Sequence, residues 1–268
     1  MGKSVSLAVV QLSSIKDDVL ANIDNVQEII EEELRPETEL LVFPEVWPVG
    51  WYCEDFIKSA EFEDDVNEYL SDLAKKHNMN IIGGSYITKK NDKYYNTCRV
   101  FNRKGEIIAD YDKMHLYSHF DCNEDKYVDK GKAPILVDID GIKYGLSICY
   151  DIRFPEIYRA YAIAGADILV NCAAWGYSKE LQWSTLGRAR AMENQCYMIT
   201  LTQTGYLNEN EFNLGKSYIY DYNGNTIASI NRTEGIINAK LEMDEMYEFR
   251  KKALTISDIR EKYEVKNQ

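Results

Sequence analysis

Three polar side chains each follow directly after a short apolar run, at positions where a purely structural design would not need them. Glu45 comes after an apolar run that closes with Phe-Pro, Lys113 comes after Tyr-Asp, and Cys149 comes after Gly-Leu-Ser-Ile. Taken alone, each has an ordinary explanation: a helix cap or solvent-facing acid, a solvated cation, and a buried thiol at a strand end. Their coincidence favours chemistry, because the carboxyl ends of strands form the edge where open α/β sheets build their sites.

An acid, a cation and a thiol at one edge are what a cysteine-dependent hydrolysis requires. A thiol needs a base to remove its proton before it attacks a carbonyl or nitrile carbon, and the oxyanion that forms needs positive charge beside it. Glu45 is the candidate for the base, and Lys113 is the candidate for the positive charge. Cys149 stands between a strand and the first turn of a helix, where backbone N–H groups also stabilise negative charge.

The apolar periodicity predicts the same order of elements in both halves of the chain. Short, continuously apolar runs predict strands, and apolar stripes with helical spacing predict helices. In the first half, strands are predicted at 4–11, 40–43, 80–87, 95–101 and 106–111, and helices at 22–34 and 62–74. In the second half, strands are predicted at 142–149, 167–171, 196–203, 216–222 and 226–230, and helices at 155–164 and 178–194. Each half therefore runs β-α-β-α-β-β-β, and the charged tail from Met246, helical or irregular, lies outside this repeat.

Each predicted sheet has helices for one of its faces, so its other face needs a different cover. The nearest available surface is the sheet of the other half, because an exposed apolar sheet face must pack against another layer. The predicted fold class is therefore α/β, a four-layer α-β-β-α sandwich. No Pro- or Ser-rich linker separates the halves, so we expect a single domain over residues 1–265.

The charge balance and the apolar runs limit the classes of partner. The chain has 31 Lys and Arg against 44 Asp and Glu, a formal net charge of −13, which disfavours nucleic acid and anionic lipid as partners. No apolar run approaches the ~18 residues of a membrane span, and the start of the chain lacks the apolar core of a signal peptide. The 6 cysteines show no CxxC pair or disulfide framework. We therefore expect a cytoplasmic protein with reduced thiols and no membrane partner.

Motifs for cofactors and metals have little support. The chain contains no GxGxxG, which argues against a dinucleotide. The run 215–217, Gly-Lys-Ser, resembles the end of a phosphate loop, but Asn210 occupies the upstream glycine position. His115 and His119 are four residues apart without a third metal ligand, and we interpret them as ordinary loop residues. The sequence thus predicts neither a cofactor nor a metal.

Five segments, in chain order, resemble the nitrilase (carbon–nitrogen hydrolase) superfamily, whose members carry a Glu-Lys-Cys triad. The resemblance extends from the first strand to about residue 265 and rests on the segments Phe43-Pro44-Glu45, 111–116 (YDKMHL), 148–156 (ICYDIRFPE), 171–175 (NCAAW) and 188–194 (RARAMEN). It implies a nitrilase-like α-β-β-α sandwich that forms a homodimer and uses no cofactor and no metal. Any one segment would be weak support, but five in the same order are specific.

The resemblance also implies a role for each matching residue. Glu45 would be the general base, Lys113 would stabilise the oxyanion with help from the backbone N–H of Tyr150, and Cys149 would be the nucleophile that forms a thioester. A further catalytic glutamate of this family lies in the loop after the lysine. The spacing to the glycine at position 131 makes Glu124 the best match, with Asp121 as the alternative.

The run Cys-Tyr-Asp-Ile-Arg-Phe-Pro-Glu resembles the ω-amidase-like branch of the superfamily, whose members hydrolyse the side-chain amide of 2-oxo acids such as 2-oxoglutaramate. The expected function is cysteine-dependent hydrolysis of a small carboxylated amide, with water as the second substrate and release of ammonia. One alternative is another substrate of the class: a carbamoyl amine, an aliphatic amide, a nitrile or a glutathione-derived amide. A different alternative is a catalytically silent binding protein on the same fold.

A carboxylated substrate requires a cation in an otherwise acidic protein. Arg153, four residues after the nucleophile, is the candidate, because a guanidinium binds a carboxylate with two parallel hydrogen bonds. The alternative is that Arg153 pairs with Glu156 or another acid for structural reasons. Positions close to the motifs make three aromatic residues candidates for the pocket wall: Trp51, Phe154 and Trp175. Cys53 and Cys122 are placed near the pocket mouth without an assigned role.

Overall fold

The computed structural model describes residues 2–120, 122–207, 211–260 and 265–266. Its first half contains β1 (Ser4–Gln11), α1 (Val19–Glu33), β2 (Leu40–Val42), α2 (Phe56–Ser59), α3 (Glu63–His77), β3 (Asn80–Ile82), β4 (Tyr86–Lys90), β5 (Lys93–Phe101) and β6 (Ile107–Asp112). Its second half contains β7 (Leu136–Ile139), β8 (Ile142–Ile148), α4 (Pro155–Ile163), β9 (Ile168–Ala173), α5 (Glu180–Asn194), β10 (Tyr197–Thr202), β11 (Tyr218–Tyr220), β12 (Thr226–Ser229), β13 (Gly235–Glu242) and α6 (Met243–Lys252).

The strands form two sheets with parallel centres and antiparallel edges. In the first sheet the order is β13-β1-β2-β3-β5-β4, with β6 also paired to β5, and in the second it is β12-β11-β10-β9-β8-β7. The pairs β1–β2, β2–β3, β8–β9 and β9–β10 are parallel. Parallel neighbours align their carboxyl ends, so the residues that follow β2, β8 and β9 emerge at the edges of the sheets.

Side-chain alternation along the central strands shows how the layers stack. Leu7 and Val9 of β1 belong to the apolar cluster that the two sheets share, which also contains Leu146 and Val170 of the second sheet. Ala8 and Val10 point to the opposite face and pack against the buried stripes of α1 and α3. The second sheet is covered in the same way by α4 and α5. The predicted four-layer α-β-β-α sandwich is confirmed.

The residues at the helix ends follow known local preferences for capping. Asp18 caps α1 by accepting a hydrogen bond from the backbone N–H of Ala21 at 3.1 Å. Pro155 occupies the first turn of α4, where its missing N–H leaves no helical bond unmade. Asn78 and Gln195 end α3 and α5 in the left-handed conformation. Among the helices of the described ranges, none has the length and apolar character needed to cross a bilayer.

Two features of the strand order differ from the sequence prediction. The single strand predicted at 80–87 is two strands, because the chain turns at Gly84, which has a φ of +65° and where a Cβ would lie 2.0 Å from the carbonyl oxygen of Pro44. The two halves of the chain also differ in their order of helices and strands. The second half begins with the extra edge strand β7, and β13 crosses to the first sheet, where it pairs antiparallel to the whole of β1.

Candidate active site

Four side chains predicted to be catalytic lie together between the ends of the two sheets. Glu45 lies three residues beyond β2, Lys113 directly follows β6, and Cys149 directly follows β8. Glu124 begins a short 3-10 turn in the segment between β6 and β7. The exposed fraction is 0% for Glu45, Lys113 and Glu124 and 7% for Cys149. Charged groups are rarely buried to this extent unless they are paired, which makes their mutual contacts the defining feature of the site.

The ammonium group of Lys113 connects the two carboxylates. Lys113 Nζ donates to Glu45 Oε1 at 2.9 Å and contacts both oxygens of Glu124, at 3.0 and 2.9 Å. On its open side, Nζ lies 4.6 Å from the ring centre of Trp51, a cation–π distance. The backbone N–H of Tyr117 donates to Glu124 Oε2 at 2.6 Å and thereby fixes the second carboxylate.

Asn96, in the middle of β5, links the same two carboxylates from the other side. Its Nδ2 donates to Glu45 Oε1 at 3.0 Å and to Glu124 Oε1 at 3.2 Å. Asn96 was not identified from the sequence, where the only sign of it is an amide side chain within the strand predicted at 95–101. A buried amide in such a position needs polar partners, and these partners are the two acids.

The ionisation of this cluster follows from burial and from charge. Burial disfavours the ammonium, but the charges of Glu124 and Glu45 outweigh it and hold the pKa of Lys113 well above its usual value. Burial raises the pKa of Glu124, and the charge of Glu45 acts in the same direction against the opposing effect of Lys113. Lys113 is therefore a permanent cation, and both carboxylates interact with this one ammonium group.

Cys149 occupies a strained turn between β8 and the 3-10 turn Cys149–Arg153. Its φ is +46°, a left-handed value that a residue with a Cβ rarely adopts. Burial and the charge of Glu45, together with a hydrogen bond to that carboxylate, raise the pKa of the Cys149 thiol well above its usual value, and Lys113 opposes them. The resting sulfur is thus a thiol, and it needs a base at the moment of attack.

The first residue after β9 contacts both Glu45 and Cys149. The backbone N–H of Ala174 donates to Glu45 Oε2 at 2.8 Å, and its carbonyl oxygen lies 3.7 Å from Cys149 Sγ. Gln203, just beyond β10, donates to the backbone carbonyl of Glu45 at 2.6 Å. The residues after β9 and β10 of the second sheet therefore hold Glu45 in place, although Glu45 itself belongs to the first half of the chain.

Asp151, two residues after Cys149, holds the turn against the strand that precedes Lys113. Its Oδ2 accepts hydrogen bonds from the Tyr111 hydroxyl at 2.6 Å and from the Ile148 backbone N–H at 2.9 Å. Its Oδ1 contacts the backbone N–H of His115 at 3.0 Å and the ring Nδ1 of His115 at 2.7 Å. His115 lies in the loop after β6, and the structure adds that its ring and backbone N–H contact the buried carboxylate of the turn.

A cavity of about 640 Å³ opens above the buried cluster. Cys149 lies in its wall beside the residues predicted to bind substrate, Tyr150, Arg153 and Trp175. Further lining residues are Trp51, Tyr117, Cys53, Cys122, Lys179 and Glu211. A volume of this size suits a small organic molecule, and the mixture of aromatic rings with a few charges is typical of a ligand site.

Arg153 lies at the side of this cavity between two aromatic rings. Its Cζ is 5.1 Å from the ring centre of Trp175 and 5.8 Å from that of Tyr150, and its Nη2 donates to Gln182 Oε1 at 2.5 Å. The structural alternative, a pair with Glu156, is not formed. Within the residues that the structure describes, no carboxylate lies within ion-pair distance of the Arg153 guanidinium.

The other positions named from the sequence have mixed outcomes. Trp51 lines the cavity as predicted. Phe154 does not, because its ring stacks on the ring of His115 with centres 3.7 Å apart. Asp121, the alternative to Glu124, lies outside the described residues. Over the described stretches of chain, no group of three or more His, Cys, Asp or Glu side chains is arranged to hold a metal ion.

Comparison with known proteins agrees with this arrangement. Residues 6–251 match the family model described as carbon-nitrogen hydrolase. The chain belongs to the carbon–nitrogen hydrolase family. It is therefore a hydrolase that acts on carbon–nitrogen bonds, and the resemblance to the nitrilase superfamily stated from the motifs is confirmed.

Two relatives and one solved structure describe the position of this carbon–nitrogen hydrolase within the family. The chain is 36% identical over 240 residues to the 2-oxoglutaramate amidase of Bacillus subtilis (strain 168), covering 89% of this chain and 91% of that protein. It is 37% identical over 201 residues to the deaminated glutathione amidase of Escherichia coli O157:H7, covering 72% and 73%. A crystal structure of a branch 10 nitrilase-superfamily member from Saccharomyces cerevisiae superposes with a TM-score of 0.84 at 29% identity, covering 93% and 94%.

Proposed function

We propose that this carbon–nitrogen hydrolase is an amidase that cleaves small carboxylated amides, with the ω-amide of a 2-oxo acid such as 2-oxoglutaramate as its principal substrate. The observation that carries the proposal is the position of Cys149 between the buried Glu45–Lys113–Glu124 cluster and a cavity lined by Arg153, a cation without an ion-pair partner among the described residues. The names of the relatives support the same chemistry, since two of them are a 2-oxoglutaramate amidase and an omega-amidase.

In the first half-reaction, Glu45 takes the proton from Cys149 Sγ as the sulfur bonds to the amide carbon. The carbonyl π-electrons move to oxygen, and the ammonium of Lys113 and the backbone N–H of Tyr150 stabilise the oxyanion. Glu45 then gives the proton to the amide nitrogen, the C–N bond breaks, and ammonia leaves. The acyl group remains on Cys149 as a thioester.

In the second half-reaction, a water molecule replaces ammonia beside Glu45. Glu45 takes a proton from the water as its oxygen attacks the thioester carbon, and the oxyanion forms again beside Lys113. The C–S bond breaks, the proton returns to Cys149 Sγ, and the carboxylic acid leaves. Glu124 acts through Lys113, whose ammonium it holds with both oxygens.

Recognition of the substrate carboxylate is assigned to Arg153. The buried cluster combines two carboxylates with one ammonium, so a carboxylated substrate would meet net negative charge unless the cavity supplied a cation. Lys179, another cation in the lining, lies 3.7 Å from Glu211 Oε1. The rings of Trp175 and Tyr150 both lie within cation–π distance of the guanidinium and form the wall for the carbon chain of the substrate.

Ammonia release from a panel of substrates tests the proposal. The panel contains 2-oxoglutaramate, an aliphatic amide, a carbamoyl amine and a nitrile, each run with the wild-type protein and with Cys149→Ala. Deaminated glutathione is run beside them and followed by chromatographic loss of the amide, because its hydrolysis releases a peptide amine in place of ammonia. We expect turnover of 2-oxoglutaramate that is abolished in Cys149→Ala, and a thioester adduct detectable by mass spectrometry after rapid acid quench. Absence of turnover of every amide would overturn the proposed function.

The matched variants for substrate recognition are Arg153→Ala and, as a control for charge, Lys132→Ala at an exposed position. Loss of a charged hydrogen bond costs about 1.5–3 kcal/mol, so we expect Arg153→Ala to raise KM for 2-oxoglutaramate by about tenfold to 100-fold. The same variant should leave KM for an uncharged aliphatic amide nearly unchanged. An unaltered KM for the carboxylated amide would end the recognition role of Arg153.

Deaminated glutathione is the second candidate substrate. The cavity of about 640 Å³ exceeds what a five-carbon oxo acid fills, and the relative that acts on deaminated glutathione is 37% identical. Both substrates share an amide and a carboxylate, so the steps at Cys149 are the same, but the leaving group from deaminated glutathione is a peptide amine in place of ammonia. The ratio of kcat/KM for the two substrates in the panel decides between them.

We also propose that the protein is a cytoplasmic homodimer in which residues 1–265 form one domain. The mass of one chain is 31.0 kDa, so light scattering distinguishes a dimer from a monomer directly. A single species at the monomer mass would contradict the dimer.

A further inference from the structure

Two cysteines without a role in the proposed chemistry meet at the wall of the cavity. Cys53 Sγ and Cys122 Sγ are 3.7 Å apart, although the residues belong to segments far apart in the chain. Both line the same cavity as Cys149. Cys53 is 8% exposed and Cys122 is half-buried, so one thiol of the pair is accessible from solvent.

We propose that Cys53 and Cys122 form a reversible disulfide that lowers turnover at Cys149, so that the enzyme responds to oxidised low-molecular-weight thiols such as glutathione disulfide. Disulfides in reducing compartments are usually transient and regulatory rather than structural. The effect on turnover rests on the proposed amidase function, whereas formation of the disulfide does not.

The two thiols have different parts in the reaction. A hydrogen bond from Cys53 lowers the pKa of Cys122, with the side chain of Trp51 acting in the same direction against burial. The same hydrogen bond and burial raise the pKa of Cys53. Cys122 is therefore the thiolate that attacks first, and Cys53 is the resolving thiol.

The exchange balances with glutathione disulfide as the oxidant. The Cys122 thiolate attacks one sulfur of glutathione disulfide, its S–S bond breaks, and one glutathione leaves as a thiolate. Cys53 then loses its proton and attacks the Cys122 sulfur of the mixed disulfide, and the second glutathione leaves. Two protein thiols are oxidised to one disulfide, and one glutathione disulfide is reduced to two glutathione thiols.

The new bond would pull together two segments that both contact Lys113. A disulfide requires an S–S distance of about 2.0 Å, so the sulfurs must approach by about 1.7 Å. Cys122 lies two residues before Glu124, which binds the Lys113 ammonium, and Cys53 lies two residues after Trp51, whose ring covers it. A displacement of about 1 Å at a reacting group can cost up to ~100-fold in rate, so we expect oxidation to lower kcat by about tenfold or more.

The remaining cysteines are poorly placed for this exchange. Cys98, Cys172 and Cys196 are 0–1% exposed inside the apolar layers. The Cys149 thiol has a raised pKa and little exposure. An oxidant of the size of glutathione disulfide therefore meets Cys122 first.

The test equilibrates protein with buffers of increasing ratio of oxidised to reduced glutathione and reads two quantities. Mass spectrometry of proteolytic fragments measures the linkage between 53 and 122, in the wild-type protein and in Cys149→Ala, where the nucleophile cannot interfere. Amide turnover is measured in the wild type and in a Cys53→Ser/Cys122→Ser variant, each relative to its own fully reduced sample. Dithiothreitol is then added to test reversal.

The proposal requires the linked fragments in both proteins, a fall in wild-type kcat of about tenfold or more in step with the linkage, and recovery on reduction. The double variant should lose no activity over the same range. Absence of the linkage at every ratio overturns the proposal, and equal losses in wild type and double variant assign the effect to Cys149 instead. A protein that forms the linkage but cleaves no amide refutes the proposed function while leaving the disulfide intact.

Discussion

Replacement of Asp151 by Asn tests whether the turn that carries Cys149 is positioned by a buried carboxylate. Asp151 is fully buried, does not line the cavity, and receives hydrogen bonds from three residues through its two oxygens. Asn has nearly the same shape, so packing is preserved. What changes is that one acceptor oxygen becomes an NH2 donor.

The magnitude follows from counting donors around the carboxylate. If the new NH2 replaces Oδ2, the backbone N–H of Ile148 loses its acceptor, and if it replaces Oδ1, the backbone N–H of His115 loses its acceptor. One buried N–H is unsatisfied in either orientation, which costs about 1–3 kcal/mol. At roughly 2–4 °C per kcal/mol for a chain of this size, we expect Tm to fall by about 2–12 °C.

The kinetic effect should appear in kcat, because Asp151 aligns the Cys149 turn with the strand before Lys113. We expect kcat for the preferred amide to fall by about tenfold to 100-fold with a smaller change in KM. Rates are measured at a temperature well below the Tm of both proteins, so that unfolded protein does not contribute to the difference. Asp138→Asn, the same change at an exposed position of β7, is the matched control. A kcat within twofold of wild type in Asp151→Asn would refute the positioning role.

Three further changes test the electrostatics and the backbone of the site. Lys113→Met leaves two buried carboxylates without a cation, so we expect it to lower the free energy of unfolding by about 3–5 kcal/mol. Adding Glu124→Gln to this variant should restore part of the loss. Additive effects of the two changes in urea unfolding would contradict the pairing. Burial and a nearby carboxylate raise the pKa of Cys149. The rate of its alkylation by iodoacetamide should therefore still increase at pH values above about 8.5, the ordinary pKa of a thiol. A rate that stops increasing below that pH would be inconsistent with this environment. Gly84→Ala should lower the free energy of unfolding by more than about 1 kcal/mol in the same urea assay, since the new Cβ would clash with the Pro44 carbonyl. An unchanged urea midpoint would show that the backbone relaxes to accept the Cβ.

The layered fold could be predicted from the sequence because it depends on local patterns. Apolar runs and helical stripes are visible one element at a time, and the need to cover two sheet faces follows from them. Strand β13 was missed because its burial alternates only partly and its partner β1 lies at the other end of the chain. Pairing between strands so far apart in the chain gives no local signal in the sequence. The break at Gly84 was missed because it depends on the close approach of another loop.

The candidate site was predictable to the extent that its residues stand at strand ends. Glu45, Lys113 and Cys149 each follow a strand, and the sequence-based prediction brings all three to one edge. Asn96 and Asp151 were missed for different reasons. Asn96 lies within a strand, where period-two patterning predicts only burial, and Asp151 lies in the turn as one polar residue among several. Their contribution depends on hydrogen bonds to residues distant in the chain, which spacing alone does not encode.

The contacts of the site imply that neither half of the chain forms it alone. Glu45, Lys113 and Glu124 come from the first half, but the second half supplies Cys149 and the Ala174 N–H that orients the Glu45 carboxylate. The distance between Glu45 and Cys149 is therefore set by how the two sheets pack, and β13 adds to this coupling because it carries the second half into the first sheet. A change in the apolar layer between the sheets should consequently alter kcat as well as stability, since the reacting groups span that layer.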